Sequence, residues 1–180
     1  ASDVYKRQIP PGSGYNLHKR EAPAALAAGA FVKGRKPMKV KDCMTKHVIS
    51  VGTQEPVSVA ARLMSRYNLG ILPVQTPDGR LCGMVTDRDV VLRCVAAGKD
   101  AEAVPVREIM STGVLAVEAS DDTARAARLM SRAQLRRLPV TQNGHLTGML
   151  SLADLARRGN FSMETAQCME SICSPVVHLD

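Results

Sequence analysis

Apolar positions in this chain follow two different periods, and the alternation between them occurs twice. Residues 48–51 and 114–117 are short β-type runs rich in Val. Residues 58–67 carry Val59, Leu63, Met64 and Tyr67 at helical spacing, and residues 123–134 carry Ala126, Leu129, Met130 and Ala133 in the same way. Glu55-Pro56 and Asp121-Asp122 supply the helix starts. Residues 71–74 and 138–141 then read as strands, and 81–85 and 146–150 as return strands. Asp78-Gly79 and Asn143-Gly144 form the hairpin turns between them, since these residue types tolerate positive φ. Residues 87–97 and 152–158 read as closing helices. The predicted order is β-α-β-β-α, twice.

The two passages share residues as well as pattern. Ala-Arg-Leu-Met-Ser-Arg stands at 61–66 and again at 127–132, and Leu-Pro-Val at 72–74 and 138–140. Cys43-Met44-Thr45 corresponds to Ile109-Met110-Ser111. The offset is 66 up to the hairpin and 65 after it, where Gly83 matches Gly148 and Asp89 matches Asp154. The lost residue falls in the turn, where a deletion is best tolerated. The chain therefore holds a duplicated unit of about 60 residues, repeat 1 over 40–98 and repeat 2 over 106–158, joined near 98–105. A unit this small cannot cover a sheet and two helices by itself. The expectation is an α+β fold in which two copies pack through their sheets. Residues 159–180 form a tail with at most one weak helix.

Composition changes this picture in three ways. With no Trp, two Phe and three Tyr, the core must be aliphatic, and the stacking platforms of a single-strand nucleic-acid binder are missing. The net charge of +7 lies entirely in residues 1–41, which hold nine Lys and Arg against two acids, while residues 42–180 hold fifteen of each. The duplicated part thus has no electrostatic footprint for DNA. Asp-Val-Tyr-Lys-Arg-Gln at 3–8 matches the in-frame translation of a transposon mosaic end. Residues 1–37 are accordingly expected to be disordered and wholly or partly non-native, with Met38 a natural start; the competing reading is a basic arm for nucleic acid or membrane. Finally, five cysteines without a C-x-x-C pair argue against disulfides and zinc, and for a reducing compartment, hence the cytoplasm. No apolar run is long enough to span a membrane. Four scattered histidines suggest no catalytic arrangement, so the chain is not expected to be an enzyme.

The candidate chemistry lies in Gly-Met-Val-Thr-Asp-Arg-Asp at 83–89 and Gly-Met-Leu-Ser-Leu-Ala-Asp at 148–154. Each joins a strand to a helix. Thr86 or Ser151 then sits as N-cap beside the unpaired N–H groups of the first turn, which attract phosphate. Asp89 or Asp154 sits in that turn, where a carboxylate can accept hydrogen bonds from a ribose diol. The same spacing is also an ordinary capping box.

The duplicated order, the Leu-Pro-Val strands, the hairpins and both Gly-x-x-Thr/Ser-x-x-Asp motifs together resemble a tandem pair of CBS domains, the regulatory modules named after cystathionine β-synthase. The resemblance covers residues 40–158 and is to the free-standing bacterial kind. It implies two clefts between the repeats that bind adenosine compounds: AMP, ADP, ATP or S-adenosylmethionine. No further cofactor is required. It implies that Asp89 and Asp154 hold ribose hydroxyls, that Thr86 and Ser151 lie near phosphate, and that Val48, Val51, Val114 and Val117 edge the adenine. Arg136 and Arg137, just before the second Leu-Pro-Val, would face phosphate. The first copy has Gly70 and Ile71 there, leaving Arg88 either to compensate or to pair with Asp87, so two unequal sites are expected. A homodimer and an unidentified protein partner are also implied. The alternative is a constitutive interaction or dimerisation module with vestigial clefts.

Overall fold

The computed structural model describes residues 38–157. Residues 1–37 and 158–180, with the expectations for the leader, the tail, Cys168 and Cys173, lie outside the described residues. Repeat 1 runs through β1 (Val51–Gly52), α2 (Val57–Tyr67), β2 (Ile71–Gln75), β3 (Leu81–Thr86) and α3 (Asp87–Asp89), which continues as a π-helical turn over Val90–Val95. Repeat 2 follows with β4 (Val117–Glu118), α4 (Thr123–Ala133), β5 (Arg137–Gln142), β6 (His145–Ser151) and α5 (Leu152–Arg157). A short helix, α1 (Val40–Cys43), opens the first repeat, and a 3-10 turn, Val106–Glu108, opens the second. The α+β class and the doubled β-α-β-β-α order are those expected.

In each repeat the first strand lies parallel to the second, with Val51 opposite Val74 and Val117 opposite Val140. The second and third strands are antiparallel, with Leu72 opposite Val85 and Leu138 opposite Leu150. Asn68 (φ 52) and Gln134 (φ 53) close α2 and α4 in the left-handed conformation, which ends α4 at Ala133 rather than Gln134. The two hairpins differ in type. Asn143 and Gly144 are both at positive φ, whereas in the longer first turn only Gly79 is and Pro77 precedes it.

The first strands are two residues long, not the four expected. Further upstream, the segment that opens each repeat packs into the other repeat. Val40 and Cys43 are buried in the core of repeat 2 with Val117, Met130, Leu138 and Leu150. Val106 and Ile109 are buried in the core of repeat 1 with Val57, Ala60, Leu72 and Val85. The backbone follows: Val40 N donates to Asp121 O at 2.9 Å and Val106 N to Glu55 O at 2.8 Å. Val40, Val106 and Ile109 are fully buried, and each such side chain contributes about 1.5–3 kcal/mol by leaving water. Exchange of these segments is therefore a principal tie between the repeats.

Candidate functional site

The motif glycines explain themselves at this exchange. A Cβ on Gly83 would stand 2.6 Å from Met110 Sδ and 3.0 Å from Ser111 O; one on Gly148 would meet Met44 Sδ and come within 3.1 Å of Thr45 O. The exchanged backbone lies directly on each glycine, and Thr45 pairs with Met149 as Ser111 pairs with Met84. Residues just after Thr45 are thereby carried past the motif of the other repeat.

A cleft of about 230 Å³ results. Val48, Ile49, Leu69, Ile71, Pro73 and Met149 form its apolar walls, and Thr45, His47, Arg137, Ser151, Asp154 and Arg157 its polar lining. A broader hollow of about 540 Å³ lies at residues 50–56 and 75–77, but it holds neither motif. The smaller cleft carries the chemistry: an apolar slot that suits a planar base, a carboxylate and hydroxyl that suit a diol, and cations that suit phosphate.

Both motifs form capping boxes. Thr86 Oγ1 accepts from Asp89 N at 3.1 Å, and Asp89 Oδ2 accepts from Thr86 N at 2.9 Å and from its hydroxyl at 2.7 Å. Ser151 and Asp154 repeat this at 3.1, 2.9 and 2.5 Å. Capping engages only Oδ2. Asp154 Oδ1 accepts instead from Arg157 at 2.6 Å. Burial pushes the Asp154 carboxyl up, but the hydrogen bonds from Ser151 and Arg157 outweigh it and hold the group below its ordinary value. Asp89 Oδ1 faces Arg93 at 3.3 Å, and Arg93 also donates to Ile109 O at 2.7 Å and Ser111 Oγ at 3.3 Å.

Of the residues singled out in the sequence, Val48, Arg137, Ser151 and Asp154 converge on one cleft. Arg136 is exposed and is not among the lining residues; its carbonyl accepts from Leu152 N at 2.9 Å. The side chains of Val51 and Val117 lie in the two cores rather than in this cleft, because the chain turns inward at β1 and β4. Thr86 and Asp89 sit at the other motif, whose strand pairs with Ser111, and Val114 follows three residues on, half-buried. Arg88 is exposed, its backbone N–H donating to Asp87 Oδ1 at 2.7 Å. Sequence reasoning missed Thr45, His47 and Arg157. Arg157 was within reach, standing three residues after Asp154 on one helix face. Thr45 was already aligned with Ser111, but the segment exchange that gives the pair its meaning leaves no local trace.

Two sheets, an exchanged leading segment in each and a cap-bound carboxylate at each junction define a tandem CBS pair. The CBS domain family matches residues 40–95 and 106–160, and the chain belongs to that family. It is 36% identical over 139 residues to the CBS domain-containing protein YhcV of Bacillus subtilis, covering 77% of this chain and 98% of that one. It is 34% identical over 136 residues to Hypoxic response protein 1 of Mycobacterium tuberculosis. The crystal structure of Hypoxic Response Protein I, solved with two coordinated zinc ions, has a TM-score of 0.62 and covers 67% of this chain and 98% of its own. CBSX2, solved in complex with AMP, has a TM-score of 0.59 at 28% identity and covers 67% of this chain and 94% of its own. Among the described residues, no three His, Cys, Asp or Glu side chains cluster to hold a metal ion, and no helix is long and apolar enough to cross a membrane.

Proposed function

We propose that the chain is a regulatory module without catalytic activity that binds an adenosine compound (AMP, ADP, ATP or S-adenosylmethionine) in the cleft at Asp154. The observation that carries this reading is the convergence of Arg137, Ser151, Asp154 and Arg157 beside an apolar slot. Adenine lies between Val48, Ile49 and Ile71, the ribose diol meets Asp154, and phosphate meets Arg137. Val48 and Ile49 come from one repeat and Asp154 from the other, so a ligand that touches both biases their relative setting. Only its differential affinity for the two settings can drive such a change. The complex of CBSX2 with AMP supports this ligand class. The motif at Asp89, in the repeat that carries Gly70 and Ile71 where the other carries Arg136 and Arg137, is read as taking a less charged ligand or staying empty. The exposed side chains of Val91, Leu92 and Val95 suit contact with a second copy in a homodimer. A cytoplasmic setting and an unidentified protein partner complete the reading.

Calorimetric titration with AMP, ADP, ATP and S-adenosylmethionine tests it, and loss of binding in Asp154→Ala locates the site. A second reading, a constitutive interaction module, is favoured by the same Gly70 and Ile71. It predicts a partner captured equally with and without AMP, whereas the regulatory reading predicts capture that depends on the nucleotide.

A further inference from the structure

We propose that Arg157 is an exchangeable counter-ion, which ligand binding transfers from Asp154 to a phosphate, so that the cleft selects a phosphorylated nucleoside over a neutral or a cationic one. This deepens the adenosine reading and rests on it.

Asp154 divides its two oxygens. Oδ2 is committed to the backbone N–H and hydroxyl of Ser151 and cannot leave them without uncapping α5. Oδ1 is the oxygen open to a ligand, and Arg157 holds it at 2.6 Å. A ribose diol therefore competes with a guanidinium for the same atom. Among the described residues, Asp154 is the one hydrogen-bond partner of Arg157, and the Arg157 side chain is 73% exposed, so it is free to swing away. It also lines the cleft with Arg137 and His47. A neutral nucleoside that displaces it gives Oδ1 a hydroxyl donor but leaves the guanidinium without an anion. A phosphate gives the guanidinium a new anion in a geometry it binds in fork fashion. A sulfonium would face both arginines as a like charge.

The other motif lacks this device. The position equivalent to Arg157 is Leu92. Asp89 is paired instead with Arg93, and Arg93 is tied to the carbonyl of Ile109 and the hydroxyl of Ser111. That arginine is part of the wall, and its transfer to a ligand would break three contacts at once. The asymmetry between the motifs thus lies in the mobility of the carboxylate's partner, an exposed Arg157 at one and a tied Arg93 at the other.

The test compares wild type with Arg157→Gln and Arg157→Lys by calorimetric titration of adenosine, AMP and S-adenosylmethionine, with thermal melts confirming that the variants fold. Wild type should prefer AMP to adenosine. Arg157→Gln should lose about 10-fold or more for AMP while binding adenosine as well as wild type or better, because Asp154 Oδ1 is released. Arg157→Lys should retain part of the AMP preference. Equal effects of Arg157→Gln on adenosine and AMP, or no effect on either, would overturn the assignment while leaving the adenosine cleft standing. If none of the three compounds binds wild type, the adenosine reading falls and the assignment falls with it.

Discussion

Thr45 and Met149, one from each repeat, exchange two backbone hydrogen bonds, at 2.8 and 2.9 Å. Ser111 and Met84 do the same at 2.8 and 3.0 Å. Each repeat thus lends a segment to the edge of the other's last strand, and the wall of the Asp154 cleft is carried on such a segment. A change in how the repeats fit would bear on these pairings and on the backbone bonds between the two hairpins, Leu81 N to Gly144 O and Leu146 N to Gly79 O, both at 3.1 Å.

The glycines beneath the pairings should be intolerant of substitution. Gly148→Ala places a methyl group against Met44 Sδ and Thr45 O, and such overpacking typically costs about 1–3 kcal/mol. Because the nearest atom is the end of a flexible side chain, Met44→Ala should partly relieve it. Urea denaturation of both single variants and the double variant checks this: the double should be less destabilised than the sum of the singles.

Exchange also moves energy between repeats. Ile109 belongs by sequence to repeat 2, yet it is fully buried in the core of repeat 1. Ile109→Ala should cost about 2–5 kcal/mol. Hydrogen exchange should accelerate first in α2 and β2 of repeat 1, not in α4 and β5.

The fold was largely legible in the sequence because the duplication made each element testable against its copy. Periodicity located α2 and α4, and Asp-Gly and Asn-Gly located the hairpins. The motif was legible too, since Thr86 with Asp89 and Ser151 with Asp154 need only local spacing to form their capping boxes. The exchange was not legible. Val40 and Ile109 are apolar residues like any others, and nothing in their neighbourhood says which repeat they fill. Nor does the sequence say that the side chains of Val51 and Val117 are buried in the two cores, which leaves only their backbone groups to face a ligand. Arg157 carries no signature of its own in the sequence, because its contact with Asp154 Oδ1 gains meaning only once Ser151 holds Oδ2.

Stability should carry the mark of Asp154. Its folded-state pKa lies below the ordinary value, so the unfolded chain binds the proton more tightly. The stabilisation is complete above the unfolded value of about 3.9 and is lost as pH falls through the lowered folded value. Asp154→Asn should therefore show a shallower loss of stability than wild type below about pH 4, measured by urea midpoints across that range.

The described cysteines should be slow to react. Cys43 and Cys94 are buried, and burial pushes the Cys82 thiol up, away from the reactive thiolate. Cys82 Sγ also donates to Val74 O at 3.2 Å. Alkylation of the native chain followed by peptide mass mapping should leave these three unmodified over times in which denatured chain is fully labelled.

The central claim is that the ligand cleft is the one built on Asp154 and that its charge favours phosphate. Titration of AMP into wild type, Asp154→Ala and Asp89→Ala tests it most directly. Loss of a charge-assisted hydrogen-bond pair, worth about 1.5–3 kcal/mol, predicts that Asp154→Ala weakens AMP binding roughly 10- to 150-fold while Asp89→Ala binds as wild type does. No binding of AMP to wild type, or a loss in Asp89→Ala that Asp154→Ala does not share, would contradict it.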